Sequence, residues 1–567
     1  WYHAQCLTPF KEQEEQVRIK KASKSLLECA YCNNEMLFEE KSLRYNHKWY
    51  HAQCLTPLKT IEEKKQQEKT IVDFKTKTIS KPVVVAKKKF DPVITGLTIA
   101  IFFVIYLTTL LLFSNFVLIS VGLAAAFVFF QLYTARRALH SKFKYGKRLP
   151  SSFAFFMLIL PFIFGILLII EGQAIWESYS KMIILGGLTI TFWSTMLFVP
   201  IAAYSKYRED NQPPPEVYPS LTVIVPAYNE EKVISRTIES LLATEYPKKE
   251  IIVVDDGSKD RTLAIANMYS NKVKVLHKEN GGKASALNYG IAYSSGEVIV
   301  IVDADTVVGM SSLKHLMKGF GVGKEIAAVA GNVKIRNRVN LLTWCQALEY
   351  VGGIQIARRA LDHFGSIAIV PGALGAFKKS ALIGGGGYDK STIVEDFDAT
   401  IKVLKSGSVV QGSTQSTAYT EAPDTLHDFI NQRKRWYRGN IQVVLKHKDV
   451  LTNPRFGFLQ RLTFPYMLIT MFVLPFLGIA VIANAVIEIF LGGWQFVLQS
   501  FIFFIVLQHL LSALAVRIDG ENPKLIAYST FLVIGYKQIV DAILIRATFE
   551  SIFHKKAKWT SAKRKGF

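Results

Sequence analysis

The sequence predicts an α/β domain with a mostly parallel sheet, set between two groups of membrane-crossing helices and preceded by a small cysteine-rich module. Three observations carry this. Half of the 567 residues are hydrophobic, a membrane-protein composition. Apolar stretches near the ~20 residues that cross a bilayer flank a central polar region. Within that region short apolar runs alternate with amphipathic ones, the pattern of strands separated by helices.

The net charge of +23 lies largely beside the apolar stretches. Arg136, Arg137, Lys142, Lys144, Lys147 and Arg148 form an acid-free run between two of them, and the tail from Lys555 to Lys565 is also basic. Basic residues flanking spans mark the cytoplasmic side, so the charge is assigned to topology and the lipid bilayer, with no nucleic acid partner.

Residues 1–58 are expected to form a zinc-binding repeat module. Cys29, Cys32, His51 and Cys54 give C-x2-C-x18-H-x2-C, the ligand set of a closed tetrahedral structural Zn2+ site. The pattern is similar to one half of a LIM-type module, and His47 is an alternative to His51. WYHAQCLTPF at the start is nearly repeated as WYHAQCLTPL from Trp49 to Leu58, so the first copy is read as truncated, with the amino terminus cytosolic. Free reduced thiols are the bland alternative. Residues 59–92 read as a charged linker.

Apolar stretches at 93–113, 115–133, 152–170 and 182–203 predict four crossings within residues 93–205, returning the chain to the cytosol. A Pro-rich linker, 206–220, leads into the central domain, 221–445. Its strands are LTVIVPA from Leu221, EIIVVDD from Glu250, KVKVLH from Lys272 and EVIVIVD from Glu297. Ligands of such sheets bind at the carboxyl ends of the strands, where Asn229, Glu230, Asp255, Asp256, Asp303 and Asp305 fall. Residues 446–548 are assigned to interfacial and transmembrane helices. Of these, 463–487 and 494–516 span, and 525–545, interrupted by Lys537 and Asp541, is read as interfacial or re-entrant. A basic cytosolic tail, 549–567, follows.

Asp303-Ala304-Asp305 ends a predicted strand, whose alternation aims both carboxylates one way, toward a hard divalent ion and its phosphates. A helix cap or solvated turn fits the same residues. Gly281 and Gly282 allow close backbone approach, and Lys283 supplies a compact counter-charge for phosphate, unless it is an ordinary surface lysine. Glu395, Asp396 and Asp398 sit where acids favour a helix start. Gln432, Arg435 and Trp436 share a helical face, which suits an active-site cap or a basic helix on the membrane surface.

Taken in order, PAYNEE, VVDDGSKDRT, GGKASALNYG, DAD, VEDFD and QRKRW resemble the processive family 2 glycosyltransferases over Leu221 to Gly439. Within that family the stretch from GNVKIRNR to GALGAFKKSAL looks most like the poly-β-1,6-N-acetylglucosamine synthases, with hyaluronan, chitin and cellulose synthases more distant. The resemblance implies a GT-A-type nucleotide-diphospho-sugar transferase domain inserted between transmembrane helix groups of a plasma-membrane protein, with the catalytic domain cytosolic. It implies Mg2+ or Mn2+ on Asp303 and Asp305, and a donor site formed by Ala227, Tyr228, Glu230, Asp255, Lys283, Asp303, Gln432 and Arg435. Asp396 would be the base beside Glu395, and Trp436 would hold the acceptor. The family's T-E-D motif reads Val394-Glu395-Asp396 here, which leaves the carboxylates and loses a hydroxyl. The implied partners are a UDP-sugar, first UDP-N-acetylglucosamine, the growing polysaccharide, and optionally a small membrane accessory protein. The rivals are transfer of one sugar to a lipid carrier and, in another class, an inactive zinc-module adaptor.

Overall fold

The computed structural model describes residues 90–112, 179–215, 217–322, 326–553 and 566, and by backbone alone 27–28, 35–36, 42–45 and 48–51. Two short antiparallel hairpins fall in the amino-terminal part, Leu27–Glu28 with Glu35–Met36 and Ser42–Tyr45 with Lys48–His51. The ligand set proposed for zinc lies outside the described side chains, as do the expected crossings 115–133 and 152–170.

The central domain is built on eight strands: β1 (Leu221–Ala227), β2 (Lys249–Asp255), β3 (Lys274–His277), β4 (Val298–Ile301), β5 (Val307–Val308), β6 (Ile326–Ile335), β7 (Gly375–Lys378) and β8 (Val409–Thr420). Their order is β3-β2-β1-β4-β7-β6-β8-β5. The first four are parallel, as the βαβ pattern requires. The far half is mixed, because β7 runs antiparallel to both β4 and β6 and β5 runs antiparallel to β8. The four predicted strands all appear, and the sheet as a whole is mixed.

Both faces of the parallel half of the sheet are covered, so the central residues of β1, β2 and β4 are apolar and split by alternation. Leu221, Val223, Val225, Ile251 and Val253 pack on one side with α1 (Ile234–Ala243). Ile224, Ile252 and Val254 pack on the other with Leu287 and Ile291 of α2 (Lys283–Ala292). Four further helices carry or support the site: α3 (Leu341–Glu349), α4 (Gln355–His363), α5 (Glu395–Lys405) and α6 (Leu426–Lys446).

An apolar helix, Tyr179–Asp210, enters the domain directly, continuing past the expected boundary at 205. Its last turn is held by the domain: Glu209 accepts from Thr414 N at 2.7 Å and from Arg359 at 3.1 Å, and Ser205 donates to Asp362 at 2.7 Å. Among the described residues, three segments beyond the domain are long and apolar enough to cross a membrane: Leu459–Phe490, Trp494–Asp519 and Pro523–Ile552. The third is not one continuous helix. Ile534 is extended, and Gly535, at φ +91° and ψ −62°, takes a conformation closed to residues with a side chain.

Candidate active site

The loops after β1 and β2 are stitched together by short polar side chains. Asn229, in the left-handed region at φ +56°, accepts from Lys259 N at 2.8 Å, and its own N–H reaches Ser258 at 3.0 Å. Glu230 N donates to Thr262 at 2.7 Å. Under this double loop Asp255 is fully buried at the end of β2. Its Oδ2 meets His277 Nδ1 at 2.7 Å, while its Oδ1 has no hydrogen-bond partner, leaving a strong buried acceptor at the end of β2. Ala227 is buried in β1; Tyr228 and Glu230, in the loop that follows it, are half-buried.

Asp256 has a different task. Its carboxylate accepts from Gly281 N at 3.1 Å and Gly282 N at 2.8 Å, and pairs with Lys278 at 2.8 Å. It therefore ties down the glycine pair that starts α2. Gly282, at φ +84°, turns the chain so that Lys283 becomes the first residue of that helix.

Lys283 Nζ lies 2.7 Å from Asp303 Oδ1 and 2.9 Å from Glu395 Oε1. One ammonium thus joins the end of β4 to the start of α5. Burial works against the charge on Lys283, but Asp303, Glu395 and Asp396 together hold its pKa well above the ordinary range. Asp396 accepts from Phe397 N at 2.8 Å and Gly372 N at 3.3 Å. Burial, and then Glu395, push its carboxyl up to about 6, against the pull of Lys283. A carboxyl so placed can take up or give a proton in mildly acidic to neutral solution.

Asp303 to Asp305 form a turn, closed by Thr306 N to Asp303 O at 3.0 Å, and not the extended strand end that alternation suggested. The two carboxylates therefore have different neighbours. Asp303 meets Lys283; Asp305 is buried with the Thr306 and Thr420 hydroxyls at 3.2 and 3.4 Å. Both offer hard oxygens, Asp305 among neutral hydroxyls and the half-exposed Asp303 beside the Lys283 ammonium, and such donors fit a small divalent ion that keeps waters and takes phosphate oxygens. Among the described residues no group of three or more His, Cys, Asp or Glu forms an all-protein metal cage.

Gln432, Arg435 and Trp436 are half-buried on α6, whose start is capped by Thr425 accepting from Asp428 N. The neighbouring basic residues of α6 are ion-paired within the protein. Arg433 pairs with Glu349, while Lys434 at 2.7 Å and Arg438 at 3.6 Å pair with Glu550. Tyr350, which follows α3, has its phenol pushed up to about 12 by burial.

Residues 222–384 match the model of the family described as Glycosyl transferase family 2. The chain carries a family 2 glycosyltransferase domain. Over 229 residues it is 32% identical to poly-beta-1,6-N-acetyl-D-glucosamine synthase of Staphylococcus aureus and, equally, of Staphylococcus epidermidis, covering 40% of this chain and 56% of each relative. The chain thus spans little more than half the length of the curated relatives it matches. A mannosyltransferase from Pyrobaculum calidifontis, in complex with GDP-Man and Mn2+, aligns over 66% of this chain and all of that one at 19% identity and a TM-score of 0.44.

The family 2 domain relies on residues the motif reading passed over. His277, on β3, holds Asp255 from a strand expected only to build the sheet. Tyr388 lies buried next to the carboxylates: burial, Glu395 and Asp396 drive its phenol well above the ordinary range. Asn288 of α2 fixes its backbone with a pair of hydrogen bonds, 2.7 and 3.0 Å. Gly372 lies close to the ammonium: a Cβ there would lie 2.8 Å from Lys283 Nζ, so the lysine would have to shift. A glycine beside the Pro371 break was the available sequence signal, but only the fold shows what it faces.

Proposed function

We propose that the protein is a membrane-bound, inverting, processive glycosyltransferase that polymerises UDP-N-acetylglucosamine into a β-1,6-linked polysaccharide on the cytosolic face of the plasma membrane. The observation that carries this reading is Lys283 bridging Asp303 and Glu395, with Asp396 alongside. A phosphate-binding cation, an acidic turn and a base then share one pocket at the carboxyl end of the sheet. The identity to N-acetylglucosamine polymer synthases favours the sugar, and apolar helices on both sides of the domain favour a product that leaves through the membrane.

In this reading the uridine enters between the β1 and β2 loops, where the unpartnered Asp255 oxygen accepts from the base. Asp303 and Asp305 would hold Mg2+ or Mn2+, which when bound would supply charge neutralisation for the leaving diphosphate. Lys283 exchanges its carboxylate partners for phosphate oxygens, and Arg435 offers a planar donor pair to the same group. Asp396 takes the proton from the acceptor hydroxyl. The hydroxyl oxygen forms a bond to the anomeric carbon from the face opposite the diphosphate, whose oxygen leaves with the bonding pair, so an α-linked donor gives a β-linkage. Trp436 stacks on the terminal sugar and retains it between turnovers.

The test measures UDP release by the full chain from a panel of UDP-sugars, followed by digestion of the labelled product with linkage-specific glycosidases. A β-1,6-hexosaminidase-sensitive polymer made from UDP-N-acetylglucosamine is expected. Turnover of UDP-glucose alone, or a requirement for a second, uronic donor, rejects the sugar assignment. Transfer of a single residue to a lipid rejects processivity.

A further inference from the structure

Arg433 sits inside the Gln432 to Trp436 motif, yet none of the roles above uses it. It is 3% exposed. Phe429, Arg433 and Trp436 are spaced four and three residues apart and share a face of α6. The guanidinium lies 5.1 Å from the centre of the Phe429 ring and 4.7 Å from that of Trp436, and the indole stays half-buried. One face of Trp436 is thereby covered by a cation.

A buried guanidinium persists only when its charge is compensated. Here the counter-charge is Glu349, the last residue of α3, whose Oε2 receives Arg433 Nη2 and the hydroxyl of Tyr536, the latter at 2.6 Å. Arg433 also reaches the Tyr536 hydroxyl at 3.4 Å. Tyr536 directly follows the Ile534–Gly535 break, where Gly535 N donates to Gln538 at 2.6 Å. The break thus turns Tyr536 back toward α3 and α6. Glu349 in turn runs into the π-helical turn Tyr350–Ile354, an irregularity often found where a helix serves a functional site.

We propose that Glu349 and Tyr536 are positioning residues for the acceptor subsite: through Arg433 they hold the Trp436 ring with one face capped by the guanidinium and the other presented to the terminal sugar. This rests on the reading of Trp436 as the acceptor platform. It gives the third apolar segment after the domain a task beyond the membrane, because its kinked start supplies the hydroxyl that fixes the platform.

The experiment uses the full chain in nanodiscs, UDP-N-acetylglucosamine as donor and a short β-1,6-linked N-acetylglucosamine oligosaccharide as primer. Tyr536→Phe removes the hydroxyl and keeps the ion pair; Glu349→Gln removes the counter-charge; Arg433→Lys keeps the charge and loses the planar stack. Each is expected to raise the primer KM about tenfold, the scale of one lost aromatic contact, with donor KM within about twofold. Product chains should shorten. The Trp436 emission, taken as the difference from a Trp436→Phe chain, should shift in the first two variants. Parallel rises in both KM values, or an unchanged primer KM in folded Tyr536→Phe and Glu349→Gln chains, overturns the proposal. If Trp436→Phe itself leaves primer KM unchanged, the acceptor reading fails and the proposal with it. If the wild-type chain releases no UDP from this donor, the sugar assignment fails, and an unmoved Trp436 difference spectrum still rejects the positioning.

Discussion

Val394 packs against Gly439: a Cβ added to Gly439 would lie 2.7 Å from one Val394 methyl and 2.9 Å from the other. The position where the family pattern has a threonine is thus a contact between the helix that starts with Glu395 and Asp396 and the helix that carries Gln432, Arg435 and Trp436. A branched side chain fills the gap, and the smallest residue opposite lets the helices close. Gly439→Ala should separate them, and a misplacement near 1 Å costs on the order of 100-fold in transfer rate. Val394→Ala in the same chain should recover most of that loss. Equal losses in the single and double variants would show that the glycine acts some other way.

Asp396, pushed up to about 6, should impose a pH limit on transfer. The base works only when ionised, so the rate should fall as pH drops through about 6 and level off above it. The stability sign is opposite. A carboxyl whose folded pKa exceeds its unfolded value of 3.8 favours the fold when protonated, and that contribution is lost as pH rises from about 4 to 6. Asp396→Asn, uncharged throughout, should therefore abolish transfer and yet raise thermal stability at pH 7.5, by about 1 to 3 kcal/mol. Donor binding by calorimetry should persist. If Glu395→Gln removes transfer while Asp396→Asn spares it, the base is misassigned.

Gly372 and Lys283 give a steric test of the pocket. A methyl at 372 would meet Lys283 Nζ at 2.8 Å and Asp303 Oδ1 at 3.5 Å, displacing the ammonium from between its carboxylates. Gly372→Ala should raise donor KM about tenfold, the scale of one lost charge-assisted contact. Lys283→Met should do the same without the clash. Unchanged donor KM in both variants would remove Lys283 from the diphosphate site.

The parallel half of the sheet was legible because its strands are short, apolar and separated by helices, and because Asp255, Lys283 and Asp303 must then fall at one end of it. The mixed half was not. β7 is only four residues long and pairs antiparallel with strands far away in sequence, so nothing local marks it. The roles of neighbouring acids were equally hidden: Asp255 and Asp256 are adjacent, yet one pairs with His277 and the other holds the glycine loop. The same holds for VEDFD. Asp396 faces Gly372, whereas Asp398 turns inward to His447 at 2.9 Å and Lys402 at 2.7 Å, which hold its carboxyl well below the ordinary range despite burial.

Removal of divalent ions should stop turnover if Asp303 and Asp305 serve the diphosphate. Chelator-treated protein is expected to regain activity with Mg2+ or Mn2+, and Asp305→Asn to lose roughly 100-fold or more in kcat, the scale of losing charge neutralisation at a leaving group. Full turnover in metal-free buffer would contradict this.

The GNVKIRNR stretch, which carried the likeness to N-acetylglucosamine polymer synthases, also has a mechanical task in the fold. Asn332 donates to Asp519 at 2.6 Å, Lys334 pairs with Asp519 at 3.0 Å and Glu521 at 3.2 Å, and Arg338 pairs with Glu521 at 3.0 Å. Asp519 and Glu521 lie at the domain end of the apolar helix Trp494–Asp519, so β6 is riveted to it by a charge network in which Lys334 and Asp519 are buried. Removing one partner of a buried pair leaves the other uncompensated and typically costs about 3 to 5 kcal/mol. Asp519→Asn and Lys334→Met should therefore lower thermal stability, and the two together should cost less than the sum of the singles. Their ratio of UDP-N-acetylglucosamine to UDP-glucose turnover should stay at the wild-type value. A changed ratio with unchanged stability would instead place sugar selection in this strand, and the resemblance of GNVKIRNR would then reflect donor chemistry and not the anchoring of a domain to its membrane helix.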